Sequence, residues 1–170
     1  MWHRQRRIPR LLRRLDVDLP APLTVRGLVS ALETRRGRHI QLAAMTVDGR
    51  AGPCGLWVAT SETDYVLFSR DASPVLRVQT ILHELMHIAL GHTTRAVTSG
   101  QPAGTGDLTG ARAVLARSTA TFDEQQEHDA ELLATYLGAR LEGGGGAEAF
   151  DELGDATAAV MHRIAATLTD

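Results

Sequence analysis

Apolar residues recur along this chain with two periods, and each predicts a different element. Val75, Val78, Leu82, Leu85 and Ala89 follow the three-and-four spacing of one helical face. Ser73 ahead of them offers an N-cap oxygen, and Pro74 suits a first helical position, where a missing N–H breaks no intrahelical bond. Gly91 suits a left-handed stop, so the spacing predicts a helix from Pro74 to about Leu90. Val25, Leu28, Val29 and Leu32 predict an earlier helix, capped by Thr24 and ended by Gly37. A third helix is expected after Thr121-Phe122-Asp123-Glu124, which reads as a capping box, and continues to about Leu141 on the face of Leu133, Tyr136 and Leu137. Gly143 to Gly146 end that run, and Val160, Ile164, Ala165 and Leu168 predict a last packing helix over 156–168. One or two helical turns are expected over 111–117.

The second period is that of strands. His39 to Val47 alternates loosely through Ile40, Leu42, Met45 and Val47 and is followed by the turn signal Asp48-Gly49. Gly55 to Thr60 and Tyr65 to Phe68 are β-prone runs joined by Ser61-Glu62-Thr63-Asp64, which predicts a hairpin. The fold class is therefore α+β: a small sheet of about three strands packed on a helical core. Residues 1–22 read as a basic N-terminal arm or short helix, with a partial stripe of Ile8, Leu11, Leu12 and Leu15 that Pro9 interrupts. Residues 23–170 read as one domain, containing a polar loop over about 93–110.

Composition narrows the setting. At 170 residues and 44% hydrophobic content the chain can close one core. No run approaches the roughly 18 apolar residues of a membrane helix, so no membrane partner is expected. No signal peptide is read at the basic N-terminus, and the lone Cys54 excludes an internal disulfide; both fit a reducing cytoplasm. Cys54 itself, in a Gly-Pro-Cys-Gly turn, reads as a structural thiol. Charge is lopsided: residues 1–50 hold 11 Arg against 4 acids, and residues 121–170 hold 2 Arg against 11 acids. Either the two ends pack near each other or solvate, or the arm meets nucleic acid or an acidic partner. A pI near 6.4 argues against nucleic acid.

The chemistry sits in His83-Glu84-Leu85-Met86-His87. On a helix, residues four apart share a face, so His83 and His87 can hold one metal ion between them. Glu84 is rotated roughly 100° from His83, which puts its carboxylate beside such an ion as a base for water rather than as a ligand. A helix bearing two ordinary histidines is the competing reading, which the cap, the apolar face and the glycine stop weigh against. A catalytic site needs a third ligand and an open position. The candidates are Glu124, Glu127, His128, Asp129 and Glu131. Glu127 and Glu131 share a face, so one can ligate while the other holds the second nitrogen of a ligand histidine. Glu124 reads better as an acid favoured by the helix dipole.

His83 to His92, followed by Glu127-His128-Asp129-Ala130-Glu131-Leu132-Leu133-Ala134, resembles the ImmA/IrrE family of metallopeptidases over roughly residues 40–140. Those proteins show an HExxH helix often ending in Gly-His, then a helix with Glu-x-x-Ala-x-x-(Phe/Leu)-Ala. The resemblance implies a zincin-like minimal metallopeptidase domain with Zn2+ held by His83, His87 and Glu127. It implies Glu84 as the base; where many relatives have Asn four residues after the ligand Glu, this chain departs with Glu131, which the helical spacing makes the candidate partner behind a ligand histidine. It further implies a cytoplasmic, regulatory endopeptidase whose protein substrate is a helix-turn-helix transcriptional repressor. The metzincin pattern fails at Leu90 and Thr93. His92, His128, Tyr136 and His162 are the candidate oxyanion donors, and the Tyr65 to Phe68 strand is the edge to which a substrate strand is expected to add. Two other readings stand beside this one. The first is a metal-stabilised protein that sequesters a regulator without cutting it, which leaves Glu84 without a purpose. The second is a SprT-like DNA-associated protease using the Arg-rich arm.

Overall fold

The computed structural model describes residues 2–45, 55–59, 62–92 and 123–141. Helix α1 (Trp2–Leu15) and α2 (Val25–Arg36) precede strand β1 (His39–Met45). Strands β2 (Gly55–Ala59) and β3 (Thr63–Ser69) follow, then α3 (Pro74–Leu90) and α4 (Glu124–Gly138). Among the described residues the fold is α+β with one small three-stranded sheet. No helix among the described residues is long and apolar enough to cross a membrane. The expected loop over 93–110, the turns over 111–117 and the helix over 156–168 lie outside the described residues. So do Asp48-Gly49, Cys54, Gly143 to Gly146 and His162.

The sheet order is β1-β3-β2, with β1 parallel and β2 antiparallel to β3. The β2–β3 hairpin is as expected, but β3 starts earlier than the polarity of Thr63 and Asp64 suggests. Asp64 is a full strand member, opposite Ile40 on one side and Ala59 on the other. Its buried carboxylate accepts from Arg36 Nη2 at 3.0 Å and Trp57 Nε1 at 3.1 Å, with Arg38 Nε at 3.5 Å. A buried charge with that set of partners is tolerable, whereas an isolated one is not. Because β3 lies between the other two strands, Tyr65 to Phe68 offers no free edge. The expectation that a substrate strand adds there is wrong: the edges among the described strands are β1 and β2.

Helix α3 is the centre of the molecule. Thr80 to Leu82 and Glu84 to Leu90 are all buried, so the helix is covered on nearly every side rather than along one stripe. Val75, assigned to that stripe, is 80% exposed. It sits at the margin of the apolar arc and in the first turn, where few neighbours reach it. The caps match their residues: Ser73 Oγ accepts from Leu76 N–H, Pro74 opens the helix, and Gly91 ends it at φ 66°. From the C-terminal turn of α2, Arg35 Nη1 donates to Ala89 O and Arg36 Nη1 to Ile88 O, each at 3.0 Å. These bonds place two cations on carbonyls of the last turn, at the negative end of the helix.

Leu28 and Leu32 of α2, Val66 and Phe68 of β3, and Leu133 and Leu137 of α4 form one core around α3, closed by Leu11 and Leu15 of α1. Of arm and helix, the N-terminal segment is a helix, and it runs continuously through Pro9. Helix α4 begins two residues later than its expected cap. Asp123, not Thr121, is the N-cap, and its capping box closes with Gln126. The helix ends at Gly138, short of Leu141.

Candidate metal centre

Helical spacing and the packing of α4 across α3 bring three side chains together. His83 Nε2 and His87 Nε2 lie 3.0 Å apart. Glu127 places Oε2 at 3.3 Å from His83 Nε2 and Oε1 at 3.7 Å from His87 Nε2. One donor atom from each of the three falls within 4.8 Å of the others, so the group can hold a metal ion. It is the trio that the family resemblance implies. The other acids of the α4 start lie elsewhere. Glu124 and His128 are exposed, and Asp129 turns to α1, where Arg7 Nε donates to its Oδ1 at 2.7 Å.

The donor chemistry fits a cation. Two Nε2 atoms 3.0 Å apart cannot both carry protons, whereas two lone pairs and a carboxylate converge naturally on a positive ion. Each of the two rings is also held from behind. Glu131 Oε2 lies 3.4 Å from His83 Nδ1, the role expected for it, and Thr135 Oγ1 donates to the other oxygen of that carboxylate. Behind His87 stands His92, its Nδ1 3.1 Å from His87 Nδ1. Burial, then the neighbouring His83 and His92, push the His87 pKa down to about 3, so its ring is neutral, the state a ligand needs. The centre is lopsided in exposure: His87 is wholly buried, while the side chains of His83 and Glu127 are 23% and 46% exposed. Among the described residues, the exposed side of the group is that of His83 and Glu127.

Glu84 faces the edge strand. It is buried, and the backbone N–H of Trp57 in β2 donates to it. Burial first, and the charge of Glu127 second, raise its pKa from 4.5 to about 7; the Trp57 bond opposes them. Sequence reasoning placed Glu84 beside the ligands but missed what surrounds it. Gly55 is the key contact: a Cβ there would come 2.2 Å from Thr80 Cγ2 and 3.1 Å from Glu84 Oε1. Only a residue without a side chain lets β2 lie this close to α3.

Of the suggested oxyanion donors, His92 contacts His87 on the ring edge away from Nε2. Tyr136 is half-buried, with the Arg140 guanidinium 3.5 Å over its ring. His92 is thus a site residue that sequence reasoning named for a different task. The signal was Gly91, whose left-handed conformation folds the next residue back onto the helix end. No protein-family model, curated protein or solved structure matches this chain.

Proposed function

We propose that this chain is a zinc-dependent endopeptidase with a zincin-like site, hydrolysing peptide bonds of a specific protein. The observation that carries the reading is the convergence of His83, His87 and Glu127 within 4.8 Å beside a buried carboxyl of pKa about 7. A site that only stabilises a fold has no use for a buried carboxyl beside the metal group, whereas hydrolysis needs a base there. Two imidazoles and one carboxylate, open on one side, suit zinc in its catalytic form.

His83, His87 and Glu127 would hold the ion, which when bound supplies Lewis acidity toward a carbonyl and toward water. Glu84 accepts the proton of the attacking water as its oxygen bonds to the carbonyl carbon. The same carboxyl hands that proton to the amide nitrogen as the C–N bond breaks, so it ends the cycle ionised as it began. Strand β2 is the edge beside Glu84, and an extended peptide adding there would run past the site by main-chain hydrogen bonding. The substrate class we assign, on the resemblance to ImmA/IrrE proteins, is a cytoplasmic helix-turn-helix repressor.

The test pairs two variants of the purified chain. Wild type should retain about one zinc per chain, and Glu127→Ala should lose it or bind it at least about tenfold more weakly. Glu84→Gln should keep its zinc while cleavage of a repressor substrate falls by about 100-fold or more. Cleavage at the wild-type rate by Glu84→Gln would remove Glu84 from the mechanism. A wild type that takes up no zinc would remove the metal reading altogether.

A further inference from the structure

For both ligand histidines to present a lone pair at Nε2, each must carry its proton on Nδ1, and each Nδ1–H then needs an acceptor. The acceptor at His83 is Glu131, whose side chain is 61% exposed. The atom facing His87 Nδ1 is Nδ1 of His92, in a fully buried contact. We propose that His92 is the principal positioning residue of this centre: by accepting the His87 Nδ1–H bond, it locks the tautomer and ring direction that present His87 Nε2 to a divalent metal. The inference rests on the metal reading above.

His92 is tied to His87 at two points. Its backbone N–H donates to the His87 carbonyl at 3.0 Å, and its ring meets the His87 ring at 3.1 Å. Gly91 makes both possible. At φ 66° it reverses the chain after one helical turn, bringing a residue five positions on back to the same ring. The rings cross at 71° with centroids 5.0 Å apart, so they meet through their nitrogen edges rather than by stacking. The opposite proton arrangement, with His92 as donor, would leave the His87 proton on Nε2. That atom is only 3.0 Å from His83 Nε2, where the ion must sit, so metal binding selects His92 as the acceptor.

The two supporting residues are not equivalent. Glu131 lies at the surface, where water can replace a lost carboxylate oxygen. His92 is 4% exposed, and no solvent stands ready to take its place. Removing His92 should therefore weaken metal binding more than removing Glu131.

The experiment uses the full chain and zinc itself. Affinity is measured by chelator competition for wild type, His92→Asn, His92→Leu and Glu131→Gln, and the cobalt-loaded proteins are compared by their visible spectra. Asparagine can place an oxygen near the lost Nδ1 and should keep affinity within about threefold. Leucine should weaken zinc binding by about 10–100-fold and alter the cobalt spectrum. A leucine variant that binds zinc like wild type, or asparagine and leucine variants that lose affinity equally, would overturn the proposal. Nitrogen NMR of the zinc-loaded wild type gives an answer that depends on no variant. His87 should carry its proton on Nδ1 and His92 on Nε2, and a proton on His92 Nδ1 would refute the assignment. A wild type that takes up no zinc fails the metal reading itself, a result distinct from any difference among the variants.

Discussion

Glu84 owes its acidity to position rather than to sequence neighbours. In the unfolded chain it titrates near 4.5; in the fold, burial beneath β2 and the charge of Glu127 hold its proton until about pH 7. A folded-state pKa above the unfolded one means the native state binds more protons between those values. The stability this group contributes is therefore complete below about pH 4.5 and is lost as pH rises through 7. With metal removed, Glu84→Gln should gain on wild type by about 2–3 kcal/mol between pH 4.5 and pH 8, measured by urea unfolding of both proteins. A difference that stays flat with pH would mean that Glu84 ionises as freely as in the unfolded chain. His87 has the opposite sign. Its pKa is lowered to about 3, so its contribution is present above pH 6.5 and fades as pH falls toward 3. Comparing the two proteins at each pH cancels that second effect, which both share.

At the scale of elements, the site depends on how closely an edge strand approaches a helix. Gly55 faces Thr80 so tightly that an added methyl would overlap Thr80 Cγ2. Gly55→Ala should destabilise the protein by about 1–3 kcal/mol, the usual penalty of overpacking. Thr80→Ser removes the offending methyl, so in the double variant much of that penalty should disappear. Chemical denaturation of the four proteins measures the coupling, and additive effects would show that β2 and α3 do not meet at this point. The sequence marked Gly55 only as the start of a strand. Its partner lies 25 positions on, and nothing local to either residue declares the contact. The helix caps are different. Ser73 and Gly91 act on backbone groups within one turn, so their roles could be read directly.

For the whole molecule, the unequal charge of the two ends finds an account in the contact of α1 with α4. Arg7 donates to buried Asp129 at 2.7 Å, with Arg14 Nη1 at 3.8 Å, so basic N-terminal residues meet an acid of the later half. Gln125 supplies a further bond to the same carboxylate. The helix also contributes apolar surface: Leu15 is 1% exposed. Leu15→Ala should lower the stability of the whole chain by about 2–4 kcal/mol in thermal or urea unfolding. A loss below about 0.5 kcal/mol would mean that α1 is a detachable arm.

The sequence by itself determined what depends on neighbours within a turn or two. The period of the apolar residues set the helices and strands, serine and glycine set the ends of α3, and the spacing of His83, Glu84 and His87 set the candidate chemistry. It narrowed the third ligand to about two helical turns, and the trio that the family resemblance implies is the one that converges. Only the tertiary structure decided what depends on residues distant in the chain. That includes the placing of Tyr65 to Phe68 inside the sheet, the exposure of Val75, the pairing of Asp129 with α1, the burial that raises Glu84 and the return of His92 onto His87. The physical reason is that hydrogen bonds within a turn are formed by the segment itself, whereas burial and ion pairing arise from whatever the rest of the chain packs against it.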